Sequence, residues 1–74
     1  MSCTLYWKPV SKKEYQVGDF QLRDILEKRY GYPSNLNYSD IPYLEALVDA
    51  QVEGADELIE AIRKHDKIEI YKEC

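Results

Sequence analysis

The chain has 74 residues, with 10 Lys and Arg against 14 Asp and Glu for a net charge of −4, and 45% of its residues are apolar and 12% aromatic. That length fits one domain, residues 1–74, and excludes two. The apolar content excludes a disordered acidic chain, and no apolar run approaches the roughly 18–20 residues of a membrane span. The opening from Met1 to Pro9 lacks the basic flank and leucine-rich stretch of a secretory signal, so the expected location is cytoplasmic.

Residues 3–8 alternate as a strand, with Cys3, Leu5 and Trp7 on one face and Thr4, Tyr6 and Lys8 on the other. Pro9 ends it, having no amide hydrogen for a ladder. A polar connection, Ser11 to Gly18, follows, within which Tyr15-Gln16-Val17 reads as extended. Asp19 is placed to cap a first helix, whose apolar face is Leu22, Ile25, Leu26 and Tyr30, with Lys28 and Arg29 in its last turn and Gly31 as a left-handed stop. Residues 32–39 read as a loop by composition. Ser39 or Asp40 is expected to cap a second helix with Pro42 in its first turn and Ile41, Leu44, Leu47 and Val48 as its core stripe. Glu53-Gly54 breaks the pattern. A third helix turns Ala55, Leu58, Ile59 and Ile62 inward; Asp56 and Glu57 open it and Arg63, Lys64 and His65 close it, the charge order that suits the helix dipole. Lys67 to Glu73 alternates again, with Ile68 and Ile70 on one face.

The expected fold class is therefore α+β, a small single domain running strand, three helices, strand, with the two terminal strands paired against the helices. Antiparallel pairing is favoured and would bring Cys3 close to Cys74; parallel pairing is the alternative, since the helical crossover is long enough for it. Trp7 is expected in the core. In a reducing cytosol the two cysteines are expected to be free thiols. A sheet of two strands also leaves free edges, which offer a route to a homodimer.

The stretch Ile41-Pro-Tyr-Leu-Glu-Ala-Leu-Val-Asp-Ala, then Glu53-Gly-Ala-Asp-Glu-Leu-Ile-Glu-Ala-Ile-Arg-Lys-His65 and Lys67-Ile-Glu-Ile70, resembles the C-terminal half of short uncharacterised proteins from bacteria and their phages. The Leu5-Tyr-Trp-Lys-Pro9 opening is similar to theirs as well, so that about half the chain is covered. The resemblance implies a small bacterial or phage-encoded accessory protein. It carries no activity and no functional residues with it.

Charge is unevenly distributed. Residues 1–29 hold six basic and four acidic groups; residues 30–62 hold seven acids and no Lys or Arg; residues 63–74 hold four basic and three acidic groups. Four of the seven tyrosines, Tyr30, Tyr32, Tyr38 and Tyr43, lie just before or within the acidic segment. Tyrosine supplies rigid apolar area with a polar tip, as binding surfaces require. One reading is thus an acidic, tyrosine-rich face, made of Tyr32, Tyr38, Tyr43, Asp49, Glu53, Asp56, Glu57 and Glu60, that docks a basic surface of a partner protein. A phage-encoded inhibitor that covers a host defence protein's nucleic-acid-binding groove would have this character. The blander reading is a solvated helix face with tyrosines at the edge of the core. The alternative function is a structural or accessory homo-oligomer joined through sheet edges.

Other chemistry finds little support. The basic residues are scattered and outnumbered, which argues against direct binding of nucleic acid. Glu53, Asp56, Glu57 and Glu60 share a helical spacing, but acid–base catalysis needs a cleft that separates their pKa values. His65 is the only imidazole, too few ligands accompany it for a closed zinc site, and at its helix end it complements the dipole. Gly18, Gly31 and Gly54 are isolated, each at a helix boundary, and form no phosphate loop. No catalytic residue, cofactor, metal or membrane contact is expected.

Overall fold

The computed structural model describes residues 3–9, 15–17 and 20–74. In chain order the elements are β1 (Thr4–Pro9), β2 (Tyr15–Val17), α1 (Phe20–Arg29), β3 (Ser34–Asn37), a 3₁₀ turn (Tyr38–Asp40), α2 (Ile41–Asp49), α3 (Ala55–His65) and β4 (Lys67–Glu73). The Asp19 cap, Gly18 and most of the connection from Ser11 lie outside the described residues.

The terminal strands pair antiparallel, with Tyr6 opposite Tyr71 and Trp7 opposite Ile70. They form the centre of a four-stranded antiparallel sheet of order β2-β1-β4-β3. Period-two alternation sends Leu5, Trp7, Ile68 and Ile70 into a core shared with Leu22 and Leu26 of α1, Leu44 of α2 and Leu58 and Ile62 of α3. Each such aliphatic side chain contributes about 1.5–3 kcal/mol by leaving water. The opposite face of the sheet carries a stacked Tyr6–Tyr71 pair, 5.5 Å between centroids, and a Lys8–Glu69 ion pair at 3.5 Å. Trp7 is buried, and its indole nitrogen donates to a carboxylate oxygen of Glu57 at 2.8 Å, which ties β1 to α3.

Four expectations need correction. Residues 32–39 are more than a loop: Ser34–Asn37 pairs with β4, placing Leu36 opposite Ile68 and burying it completely. Asp40 is the residue before α2 but makes no side-chain cap to it. Its Oδ2 instead accepts from the Asn37 amide, while Asn37 Oδ1 accepts from the Ser39 amide, so the capping box belongs to the 3₁₀ turn. Val48 is not core, being 39% exposed. Finally, Cys3 and Cys74 are joined in a disulfide where free thiols were expected. The register explains the bridge: Thr4 faces Glu73, so the next pair outward is the two cysteines. Closing a loop 71 residues apart in sequence removes unfolded-chain entropy worth about 4 kcal/mol, a large share for a domain this small.

Candidate functional site

The acidic segment folds as a helical hairpin. α2 begins with Pro42 in its first turn, where the missing amide hydrogen is harmless, and buries Ile41, Leu44 and Leu47. The chain reverses through residues 50–54, with the Ala50 amide donating to Ala46 O and the Val52 amide to Leu47 O. Gly54 has φ +96°, and a Cβ there would lie 2.8 Å from Val17 Cγ1 and 2.9 Å from Leu22 Cδ2. Glycine therefore lets the hairpin press against β2 and α1. α3 then buries Ala55, Leu58, Ile59, Ala61 and Ile62.

A shallow groove of about 490 Å³ runs between α2 and α3. Val48 and Ile59 form its apolar floor. Glu45 and Asp49 stand on the α2 side, Asp56 and Glu60 on the α3 side. Arg63 lies at one end, its guanidinium 3.6 Å from Glu45 Oε2 and 3.6 Å from Glu60 Oε1. These three side chains are more than half exposed, so the ion pairs hold weakly. Asp49 and Asp56 have no ion-pair partner among the described residues.

The structure therefore brings together Asp49, Asp56 and Glu60 of the eight residues singled out in the sequence. Glu53 and Glu57 flank Asp56 at an adjoining hollow near Gly54, and Glu57 is already engaged by Trp7. The tyrosines are elsewhere. Tyr43 leaves the buried stripe of α2 on the side facing α1, where its ring meets Tyr30 edge-on and carries the Arg29 guanidinium 4.0 Å above it. Tyr32 is half-buried and donates to the Arg23 carbonyl at 2.7 Å. Burial, and then the charge of Glu27, push its phenol pKa well above the ordinary value. Tyr30 is also raised, chiefly by burial. Tyr38 is 51% exposed and reaches α3, its hydroxyl 3.2 Å from Arg63 O and 3.1 Å from Asp66 Oδ1. The hydrogen bond to Asp66 raises its pKa.

Comparison with known proteins finds no matching family model, no similar curated protein and no similar solved structure.

Glu45, Val48, Ile59 and Arg63 are groove residues that the predicted site does not include. A signal for them exists. Glu45, Val48 and Asp49 follow the spacing i, i+3, i+4, and Asp56, Ile59, Glu60 and Arg63 follow i, i+3, i+4, i+7. Each helix therefore carries an acid–apolar–acid stripe beside its core stripe. Among the described residues no cluster of His, Cys, Asp or Glu is arranged to hold a metal ion, and no helix is long and apolar enough to cross a membrane. What the groove offers is electrostatic attraction for cations combined with a small patch of apolar contact.

Proposed function

We propose that the protein is a non-catalytic binding module that docks a basic surface of a partner protein through the α2–α3 groove. Asp49 carries this reading. It is the last residue of α2, a helix with no basic residue in its final turn. A carboxylate there opposes the dipole of its own helix at a penalty of about 0.3–1 kcal/mol, and no described residue forms an ion pair with it. With no ion pair of its own among the described residues, the Asp49 carboxylate is open to a cationic partner. Asp56 and Glu60 extend the field, and Val48 supplies exposed apolar area beneath it. A nucleic-acid-binding groove on another protein is the kind of basic surface such a module would cover, and a small phage-encoded inhibitor of a host defence protein is one setting for it.

The test is affinity capture from a bacterial lysate with the wild-type chain and with D49K/D56K side by side, followed by measurement of the captured partner's affinity for each. The double reversal is expected to weaken binding by at least about tenfold, equivalent to about 1.4 kcal/mol, and added salt to weaken wild-type binding. Equal affinity for both chains would end the docking proposal.

A further inference from the structure

Independently of the docking reading, we propose that the Cys3–Cys74 bridge is a redox latch, which a dithiol reductant opens while the domain stays folded and which thereby frees the polar seat of α1 on the sheet. Both cysteines of the chain are in this bridge. It lies just outside the last paired residues, Thr4 and Glu73, at one end of the two central strands. Cys74 is exposed and Cys3 only partly buried, and neither belongs to the core cluster. Reduction therefore removes a covalent tie without opening a cavity among Leu5, Leu22, Leu26, Ile68 and Ile70, which pack the helices on the sheet.

What the bridge does hold is the polar attachment of α1. Arg23, whose side chain is only 17% exposed, donates from its guanidinium to the Cys3 carbonyl. One turn further on, Glu27 Oε2 lies 2.5 Å from Lys72 Nζ. Positions i and i+4 share a helix face, so one face of α1 grips both central strands beside the bridge. The apolar anchors of α1 are few, Leu22 and Leu26 being the residues it buries. Cys3 itself lies outside the ladder. Without the bridge it frays as an unpaired chain end does, and Arg23 loses its acceptor. A guanidinium so shielded from water does not stay there unpaired. Its other partner, Asp24 at 3.7 Å, is itself exposed and follows it outward. The Tyr32 hydroxyl, which donates to the Arg23 carbonyl, shares in the movement.

The exchange needs only a dithiol. One of its thiolates attacks the sulfur of the exposed Cys74, forming a mixed disulfide and expelling Cys3 as a thiolate. Its second thiolate then closes on the first sulfur and expels Cys74. The protein gains two electrons and, once both sulfurs are protonated, two protons, while the dithiol leaves as a cyclic disulfide. The guanidinium held on Cys3 favours the first step, since a neighbouring cation stabilises a departing thiolate.

The test is to treat the full chain with dithiothreitol without denaturant and to follow thiol release and backbone amide shifts. The reduction rate is expected to lie within about tenfold of that of an unhindered disulfide such as oxidised glutathione, and to change little with urea below the unfolding transition. A bridge reachable only through global unfolding would be reduced roughly fivefold faster for each added molar of urea, and that dependence would sink the latch. On reduction, amides of Thr4, Arg23, Glu27 and Lys72 are expected to shift while those of Leu44 and Leu58 keep their native positions. A reduced chain with the spectrum of an unfolded one would make the bridge a staple and not a latch. Shifts confined to the cysteines and their sequence neighbours would refute the release of α1. C3S/C74S is expected to match the reduced spectrum and to ignore dithiothreitol. R23Q isolates the contact through which the latch acts. It is expected to speed hydrogen exchange in α1 about tenfold in the bridged chain, the loss of one charged hydrogen bond, and less than about twofold in C3S/C74S. Equal acceleration in both would show that the seat of Arg23 does not depend on the bridge, and the proposal would fail.

Discussion

The two flanks of α2 are built from similar material and resolved in opposite ways. Toward α1, Tyr43, Tyr30 and Arg29 satisfy one another: ring edge on ring face, guanidinium over phenol, and the Tyr30 hydroxyl donating to Asp40 Oδ1 at 3.0 Å. Toward α3, four carboxylates face one arginine, which serves two of them and leaves Asp49 and Asp56 without an ion pair among the described residues. The first flank looks finished by folding and the second does not. Tyrosine in a sequence therefore offers a surface only when the fold leaves it one, whereas Asp49 and Asp56 carry charge that no ion pair among the described residues takes up.

This contrast assigns stability to the α1-facing flank and the proposed recognition to the groove, which substitution can separate. Tyr43→Ala removes a half-buried ring packed on the core and on Tyr30. It is expected to lower unfolding free energy by about 2 kcal/mol, less than the ~3–5 kcal/mol of a fully buried aromatic. Tyr43→Phe should fall within about 0.5 kcal/mol of wild type, since the ring carries the contact. Urea unfolding measures both. If Tyr43→Ala left stability unchanged, the α1-facing flank would be as free as the groove and the division would fail.

The sequence made the two central strands and α3 legible and hid the edge strand β3 and the way α2 meets α3, for identifiable reasons. β1 and β4 show alternation that only a half-buried strand explains, and α3 declares itself by acids at its start and bases at its end. β3 has a single apolar residue, Leu36, between two asparagines, so no period is visible; the strand exists because Ile68 of β4 offers Leu36 a partner. Antiparallel register brings Cys3 and Cys74 together, and the bridge follows that geometry and not the free thiols that a reducing compartment implies. For the site, each acidic stripe could be read from its own helix. That the stripes face each other across Val48 depends on how α2 and α3 rotate about their axes when packed, which no single-helix pattern contains.

Alkaline pH sharpens the comparison from the tyrosine side. Folding raises the Tyr32 pKa above that of the unfolded chain, so its contribution to stability is complete below about pH 10 and declines as pH climbs past that value toward the folded pKa. Tyr32→Phe removes the hydrogen bond to Arg23 O, at a cost of about 1 kcal/mol near neutrality. It also removes the ionisation. The stability gap between wild type and Tyr32→Phe is therefore expected at pH 7–9 and should narrow above pH 10, followed by urea unfolding at each pH. A gap that stays constant to pH 11 would show that the phenol is not held by burial, and the tyrosine flank would lose its claim to be closed.

The smallest effects lie in the groove, and there the sign matters more than the size. Asp49 ends α2 and Asp56 lies in the first turn of α3, so the two dipoles act on them oppositely. Asp49→Asn is expected to stabilise the domain by about 0.3–0.5 kcal/mol, because a charge at the negative end of a helix is removed. Asp56→Asn is expected to destabilise it by about the same amount, because a favourable charge at the positive end is lost. In a domain of this size each corresponds to a shift in melting temperature of about 1–4 °C, and both should shrink in 1 M salt, where the screening length falls to about 3 Å. A loss of stability in Asp49→Asn would mean that the carboxylate serves the fold after all. The groove would then be as finished as the tyrosine flank, and the strongest physical reason for placing a partner there would be gone.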